Sequence, residues 1–274
     1  ETVKRTRGLE IDLQKIPLGD KKTFELLSSG RTMGVFQLGG SGITKYLIEL
    51  KPTNVFDIMA MISLYRPGPM ESIPEFIRRK HDSLLIAYLD ERLKDVLDLS
   101  YGVITYQDDV LLIAIKLAGY SWEETDKLRK AMGKKIPKEM AAQKEKFIEG
   151  AMNNGLTSEK AIKLWSLIEP FAAYGFNKAH AASYAIIAYQ TAYMKANFPV
   201  EFMAALMTAE AGDNEKIAAA VAECSSLGIE VLPPDINESF VDFGVVPKTG
   251  NIRFGLAAIK NVGVGVADSI VEER

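Results

Sequence analysis

A mainly α-helical fold, helix-rich with a small β-containing segment near the C-terminus, is predicted for this 274-residue chain by three observations. Apolar residues recur at helical spacing in block after block from Val55 to Ala209. Cap-type residues and prolines stand where those blocks begin and end. Beyond Gly228 the pattern shortens to β-branched runs bounded by Gly and Pro. A composition 47% hydrophobic and 25% charged is enough for one large core, or a main domain with a smaller piece.

Taken in order, residues 1 to 22 are charged, broken at Gly8 and by the Pro17-Leu18-Gly19-Asp20 turn, and read as an extended connection into a helix holding Phe24, Leu26 and Leu27. Met33 to Leu38 is a short apolar stretch, strand or bend, followed by Gly39-Gly40-Ser41-Gly42. That glycine run is a tight turn or a weak phosphate-amide loop, without the lysine or spacing of a nucleotide fingerprint. Helical periods follow at Val55 to Leu64, Pro74 to Arg79, Gln107 to Ala118, Lys138 to Asn153, Ser158 to Ile168, Lys178 to Asn197, Glu201 to Ala209 and Asn214 to Leu227. Strand-like runs occupy Ile229 to Pro234, Phe240 to Val246 and Ile252 to Leu256.

Several function classes are excluded or disfavoured. One cysteine, Cys224, forbids an internal disulfide and suits a reducing cytoplasm; it reads as a small buried apolar residue. Cys224, His81 and His180 lack metal-ligand spacing. The alanine-rich stretch Ala179 to Met194 is too short and polar to span a bilayer, and no signal peptide is visible, so no membrane role is expected. The chain starts at Glu1 and stops in what reads as mid-helix, so it is expected to be a piece of something longer.

Two stretches carry the chemistry. Ser121 and Glu124 form a capping box that starts a helix at Trp122, and Gly133 suits its left-handed end. From Lys127 to Lys146 eight basic residues, among them Arg129, Lys130, Lys134, Lys135 and Lys138, face only Glu139 and Glu145, although the net charge of the chain is -3. Such cations either complement a helix dipole on a wet surface or gather phosphate. The second stretch is Tyr174-Gly175-Phe176-Asn177-Lys178-Ala179-His180. Asn177 is a good N-cap, and the helix it starts ends before Pro199. Lys178 in the first turn opposes the dipole at a cost of about 0.3 to 1 kcal/mol unless an anion sits there, phosphate being the natural one. The alternative is a solvated lysine beside an ordinary histidine.

Two further motifs stand out. Tyr65-Arg66-Pro67-Gly68-Pro69-Met70 is a rigid turn fixing an arginine. Val262-Gly263-Val264-Gly265-Val266-Ala267 has the pattern of a helix-hairpin-helix, whose amides hold nucleic-acid phosphates; a plain glycine turn fits as well.

Five blocks then stand in order: Gly34 to Leu38, Tyr65 to Met70, Tyr101 to Gln107, Leu128 to Lys135, and Tyr174 to Tyr184 with Tyr189 to Tyr193. The chain resembles the alpha subunits of bacterial DNA polymerase III, the C-family replicative polymerases, from about Phe24 to its end. The resemblance implies an exit from the palm over 1–30, fingers over 31–212, and over 213–274 a helix and short strands leading into a truncated helix-hairpin-helix. It implies DNA-templated addition of deoxynucleotides by a DNA-directed polymerase working with Mg²⁺ on palm carboxylates. No Asp-x-Asp pair occurs here, so no catalytic residue is assigned and the isolated fragment is expected to be inactive. It further implies triphosphate binding by Arg129, Lys130, Lys134, Asn177, Lys178 and His180, and DNA contact by Arg66, Lys135, Lys138, Gly263 and Gly265. Tyr184 would stack or pack.

The implied partners are primer-template DNA, the deoxynucleoside triphosphate, the remaining palm and thumb, and a sliding clamp and other replisome subunits reached through regions outside the fragment. Where the family usually has Glu-Ser after Phe-Gln-Leu, this chain has Gly39-Gly40; Asp108-Asp109 replaces Glu-Gln, and Lys130 stands where arginine is common. Two other readings compete: a non-catalytic helical nucleic-acid-binding module, and a metabolic enzyme gripping a small phosphorylated molecule.

Overall fold

The computed structural model describes residues 1–134, 136–169, 171 and 176–274. Fourteen α-helices and one three-stranded sheet are found among them. The chain divides into two compact units, one of residues 1–40 with 189–274 and one of residues 41–188.

Among the described residues of the 41–188 unit the regular structure is helical. Its helices are α3 (Ser41–Leu50), α4 (Val55–Leu64), α5 (Ile73–His81), α6 (Lys94–Leu97), α7 (Gln107–Ala118), α8 (Trp122–Lys134), α9 (Pro137–Asn153), α10 (Ser158–Ile168) and the first half of α11 (Lys178–Asn197). Helix α9 lies between α7 and α10 and also touches α8. Its Phe147 is fully buried, with Trp165 of α10 at 5.4 Å between ring centroids and Tyr120 at 6.4 Å. Gly150 is required at this crossing, because a Cβ there would collide with the Ala118 carbonyl. Large rings and a bare backbone thus interlock at interior density.

The other unit contains α1 (Thr2–Arg7), α2 (Lys21–Ser28), the second half of α11, α12 (Pro199–Ala209), α13 (Asn214–Ser226) and α14 (Val264–Glu273). Its sheet has the order β1-β3-β2, with β1 (Val231–Leu232) parallel and β2 (Gly244–Val245) antiparallel to β3 (Ile252–Arg253). Val231 and Val245 both pair with Ile252. Met203, Met207, Ile217, Cys224, Phe243 and Ile252 build the core between helices and sheet. Cys224 is fully buried there, and burial pushes its thiol up to about 11, consistent with an inert apolar residue. Among the described residues no helix is long and apolar enough to cross a membrane.

Several expectations are corrected. Residues 2 to 7 are helical rather than extended; Arg7 Nε and Nη2 clamp the buried Glu201 carboxylate of α12 at 2.5 and 3.0 Å. So short a helix owes its stability to that tertiary pair rather than to propensity. Ser41 and Gly42 open α3 instead of closing a turn, and Gly42 is needed because a Cβ would strike the Tyr65 hydroxyl. Gly133 does not turn left-handed; α8 runs through it to Lys134. Met33 to Leu38 is a series of turns, not a strand.

Candidate nucleotide and nucleic-acid interface

The start of α11 is built from two segments far apart in sequence. The Phe176 carbonyl accepts the Gln107 N–H at 3.0 Å, tying the approach to α11 onto the first residue of α7. Asn177 caps α11 as expected, its Oδ1 accepting the His180 N–H at 2.9 Å. The Lys178 N–H donates to Asp108 Oδ2 at 2.8 Å. Two amides of the first turn are therefore already engaged, and the Ala179 N–H has no partner among the described residues. The Asp108 carboxylate thus takes up one of the backbone N–H groups that this helix start offers to an anion.

Side chains around this junction alternate charge and ring. The Lys178 ammonium lies 5.3 Å from the centroid of Tyr106, and the Arg66 guanidinium lies 3.9 Å over Phe176. His180 sits 5.0 Å from Phe176 and 4.1 Å from Tyr184. Arg66 Nε is buried without a hydrogen-bond partner among the described residues. Stacking fixes the plane of the guanidinium while its Nη groups stay available. Asn177 and His180 are exposed; Arg66, Lys178 and Tyr184 are half-buried.

Below the junction, Asp109 accepts the Thr105 and Tyr106 N–H groups at 3.0 and 2.9 Å and fixes the start of α7. Burial outweighs those bonds and raises its carboxyl to about 6. Burial together with the Asp109 charge also raises the Tyr106 phenol far above its ordinary value.

Helix α8 shows a different arrangement. Its capping box is present: the Glu124 N–H reaches Ser121 Oγ at 3.2 Å and Ser121 N–H reaches Glu124 Oε2 at 2.8 Å. Arg129 and Lys130 both pair with Asp126, at 2.6 and 2.7 Å, and hold that carboxyl down at about 2. Lys127 pairs with Glu123 at 3.0 Å and Lys146 with Glu124 at 2.5 Å. Three acids just ahead of the basic run therefore take up part of its charge; the Glu123 and Asp126 pairs have the three- and four-residue spacing of one helix face, whereas Glu124 reaches Lys146 of α9. Lys134 and Lys138 are exposed and carry no ion pair among the described residues, while Lys135, Tyr174 and Gly175 lie outside them.

In the other unit Gly263 is the N-cap of α14, its carbonyl accepting the Val266 and Ala267 N–H groups. Gly265 follows in the first turn, and a Cβ at either glycine would meet nothing within 4 Å. This helix start is open to solvent, between the exposed Val264 and Val266.

Sequence reasoning singles out Lys178, Asn177 and His180 but not Asp108, seventy residues earlier, which accepts the Lys178 N–H. It also left unseen the stack of Arg66 on Phe176, for which no local spacing exists.

Residues 1–155 match the family model of the bacterial DNA polymerase III alpha subunit finger domain, and residues 228–274 match a helix-hairpin-helix motif. The chain is similar to DNA polymerase III subunit alpha of Thermus aquaticus, 50% identical across 99% of this chain and 22% of that protein. The Escherichia coli K12 protein of the same name is 46% identical across 96% of this chain and 23% of its own length, and that of Mycobacterium leprae 45% across 100% and 24%. The chain thus spans less than a quarter of the curated relatives it matches. It belongs to the bacterial DNA polymerase III alpha subunit finger domain family.

Proposed function

We propose that this chain is the part of a DNA-directed DNA polymerase that grips the incoming deoxynucleoside triphosphate and steadies the primer-template, over fingers at 31–212 flanked by connections at 1–30 and 213–274. The observation that carries this reading is the α7–α11 junction, where Lys178, Arg66 and His180 converge with rings that hold them in place. Phosphate recognition needs cations whose geometry is set before the ligand arrives.

In this reading Lys178, Asn177 and His180 meet the triphosphate from α11. Arg129, Lys130 and Lys134 meet it from α8, with Arg129 and Lys130 exchanging Asp126 for phosphate oxygens; exposed ion pairs are weak enough to exchange. Arg66, Lys135 and Lys138 contact the DNA backbone, and Gly263 and Gly265 present amides to a phosphate at the start of α14. Among the described residues no three His, Cys, Asp or Glu side chains come together to hold a metal. In this reading Mg²⁺ would be held by palm carboxylates of the remaining polymerase. The remaining palm and thumb, a sliding clamp and other replisome subunits complete the cytoplasmic enzyme.

The test is Arg129→Ala in the full-length polymerase. Loss of one charge-assisted contact, about 1.5 to 3 kcal/mol, lowers nucleotide kcat/KM on the order of tenfold to a hundredfold while DNA affinity moves only a few fold. Unchanged nucleotide kinetics would contradict the assignment. The isolated chain is expected to incorporate no nucleotide with Mg²⁺ present.

A further inference from the structure

The turns from Met33 to Leu38 are held more firmly than a surface loop requires. Phe36 N–H donates to Thr191 Oγ1 of α11 at 3.1 Å. Lys195, one helical turn further on, is fully buried, and its Nζ donates to the Met33 carbonyl at 3.0 Å while pairing with Glu223 of α13 at 2.6 Å. Burial lowers the pKa of this lysine, against the pull of Glu223. Gly34, at φ 73°, presses so close to α12 that a Cβ would strike Leu206. A buried charge and a glycine-dependent turn are a large outlay for one exposed segment.

What these restraints hold is Gln37, exposed and at φ 61°. Left-handed backbone is unfavourable for a glutamine, and such strain persists only where the surroundings over-determine it. The other non-glycine residues with positive φ have ordinary explanations. Lys51 directly follows α3, Tyr101 is anchored by its hydroxyl on Asp57 at 2.8 Å, and Asn261 is a type that tolerates the region. The Gln37 side chain sits mid-loop without a hydrogen-bond partner among the described residues. Its amide offers both a donor and an acceptor but no charge. That chemistry suits base edges rather than phosphates.

We propose that Gln37 contacts the bases of the primer-template DNA, and that Thr191 and Lys195 are positioning residues that hold its backbone in the presenting conformation. The inference rests on the polymerase reading above. In the full-length protein, Gln37→Gly should leave Tm unchanged or raised, because glycine relieves the strained conformation. The same variant should weaken primer-template binding about threefold to tenfold, the range of one net hydrogen bond. Fluorescence anisotropy across a salt series should show that loss as a parallel line, with the parental slope, since no phosphate charge is removed. Thr191→Val should reproduce the loss and Thr191→Ser restore binding.

Gln37→Gly and Gln37→Ala proteins that bind DNA like the parent would overturn this inference alone. A changed salt slope would place the loss in phosphate contacts and also overturn it. A parental protein that fails to bind primer-template would overturn the polymerase reading with it.

Discussion

The cations of α11 and α8 do comparable electrostatic work by opposite means. At the α7–α11 junction Lys178 and Arg66 lie over Tyr106 and Phe176, and the nearby carboxylate, Asp108, is spent on a backbone N–H. On α8, Arg129 and Lys130 share one exposed carboxylate, Asp126. The first arrangement fixes position without neutralising charge; the second neutralises charge on a surface where partners exchange. Preorganisation therefore separates the two better than a count of basic residues does.

The comparison breaks most visibly at the buried frame. Asp109 has its carboxyl raised to about 6, above an unfolded value near 3.8. A raised carboxylate pKa means that the folded state binds the proton more tightly, so its contribution to stability is lost as pH rises from about 4 through 6. Thermal unfolding should show Asp109→Asn stabilising the protein above pH 6 by about 1 to 3 kcal/mol, with no gain below pH 4. A variant less stable than the parent at pH 7 would mean that the carboxylate's bonds to Thr105 and Tyr106 outweigh its burial.

Asp108, bonded to the start of α11, and Asp126, on the exposed face of α8, should respond differently to truncation. Asp108→Ala removes the acceptor of the Lys178 N–H and should cost about 1 to 2 kcal/mol in denaturant melts. Asp126→Ala on α8 should leave the midpoint unchanged. Equal losses from both would erase the distinction between a built junction and a solvated ladder.

Charge without position should appear as salt dependence. Neutralising Lys134 and Lys138 together should reduce the slope of log DNA affinity against log salt by about one to two and weaken binding to every sequence alike. A parental slope would make both lysines plain solvated surface. The smallest effect is expected from Asp126→Asn, which frees Arg129 and Lys130 from their carboxylate and should lower the nucleotide KM about twofold to threefold. A rise in KM would instead make Asp126 a positioning residue for those cations.

Much of this was legible in the sequence because it is local chemistry. Helices α4, α7, α10 and α11 match the ranges read from caps and periodicity, and the Ser121–Glu124 box and the Asn177 cap make the expected bonds. Helix α3 was missed although Ile43, Leu47 and Leu50 keep helical spacing, because Gly39, Gly40 and Gly42 obscured its start. The positive charge of residues 127–146 is partly met by Glu123, Glu124 and Asp126, which precede it in the chain. The Asp108 bond and the Arg66 stack join residues seventy and more than a hundred positions apart, so only the fold brings them together.

The claim that the α11 start holds the triphosphate is tested most directly by Lys178→Ala in the full-length polymerase, with nucleotide kinetics and DNA titration on the same preparations. Nucleotide kcat/KM should fall on the order of tenfold to a hundredfold, with DNA affinity within a few fold of the parent and Lys178→Arg recovering part of the loss. Normal nucleotide kinetics in Lys178→Ala would show that this lysine only rests against Tyr106 and that the triphosphate binds elsewhere.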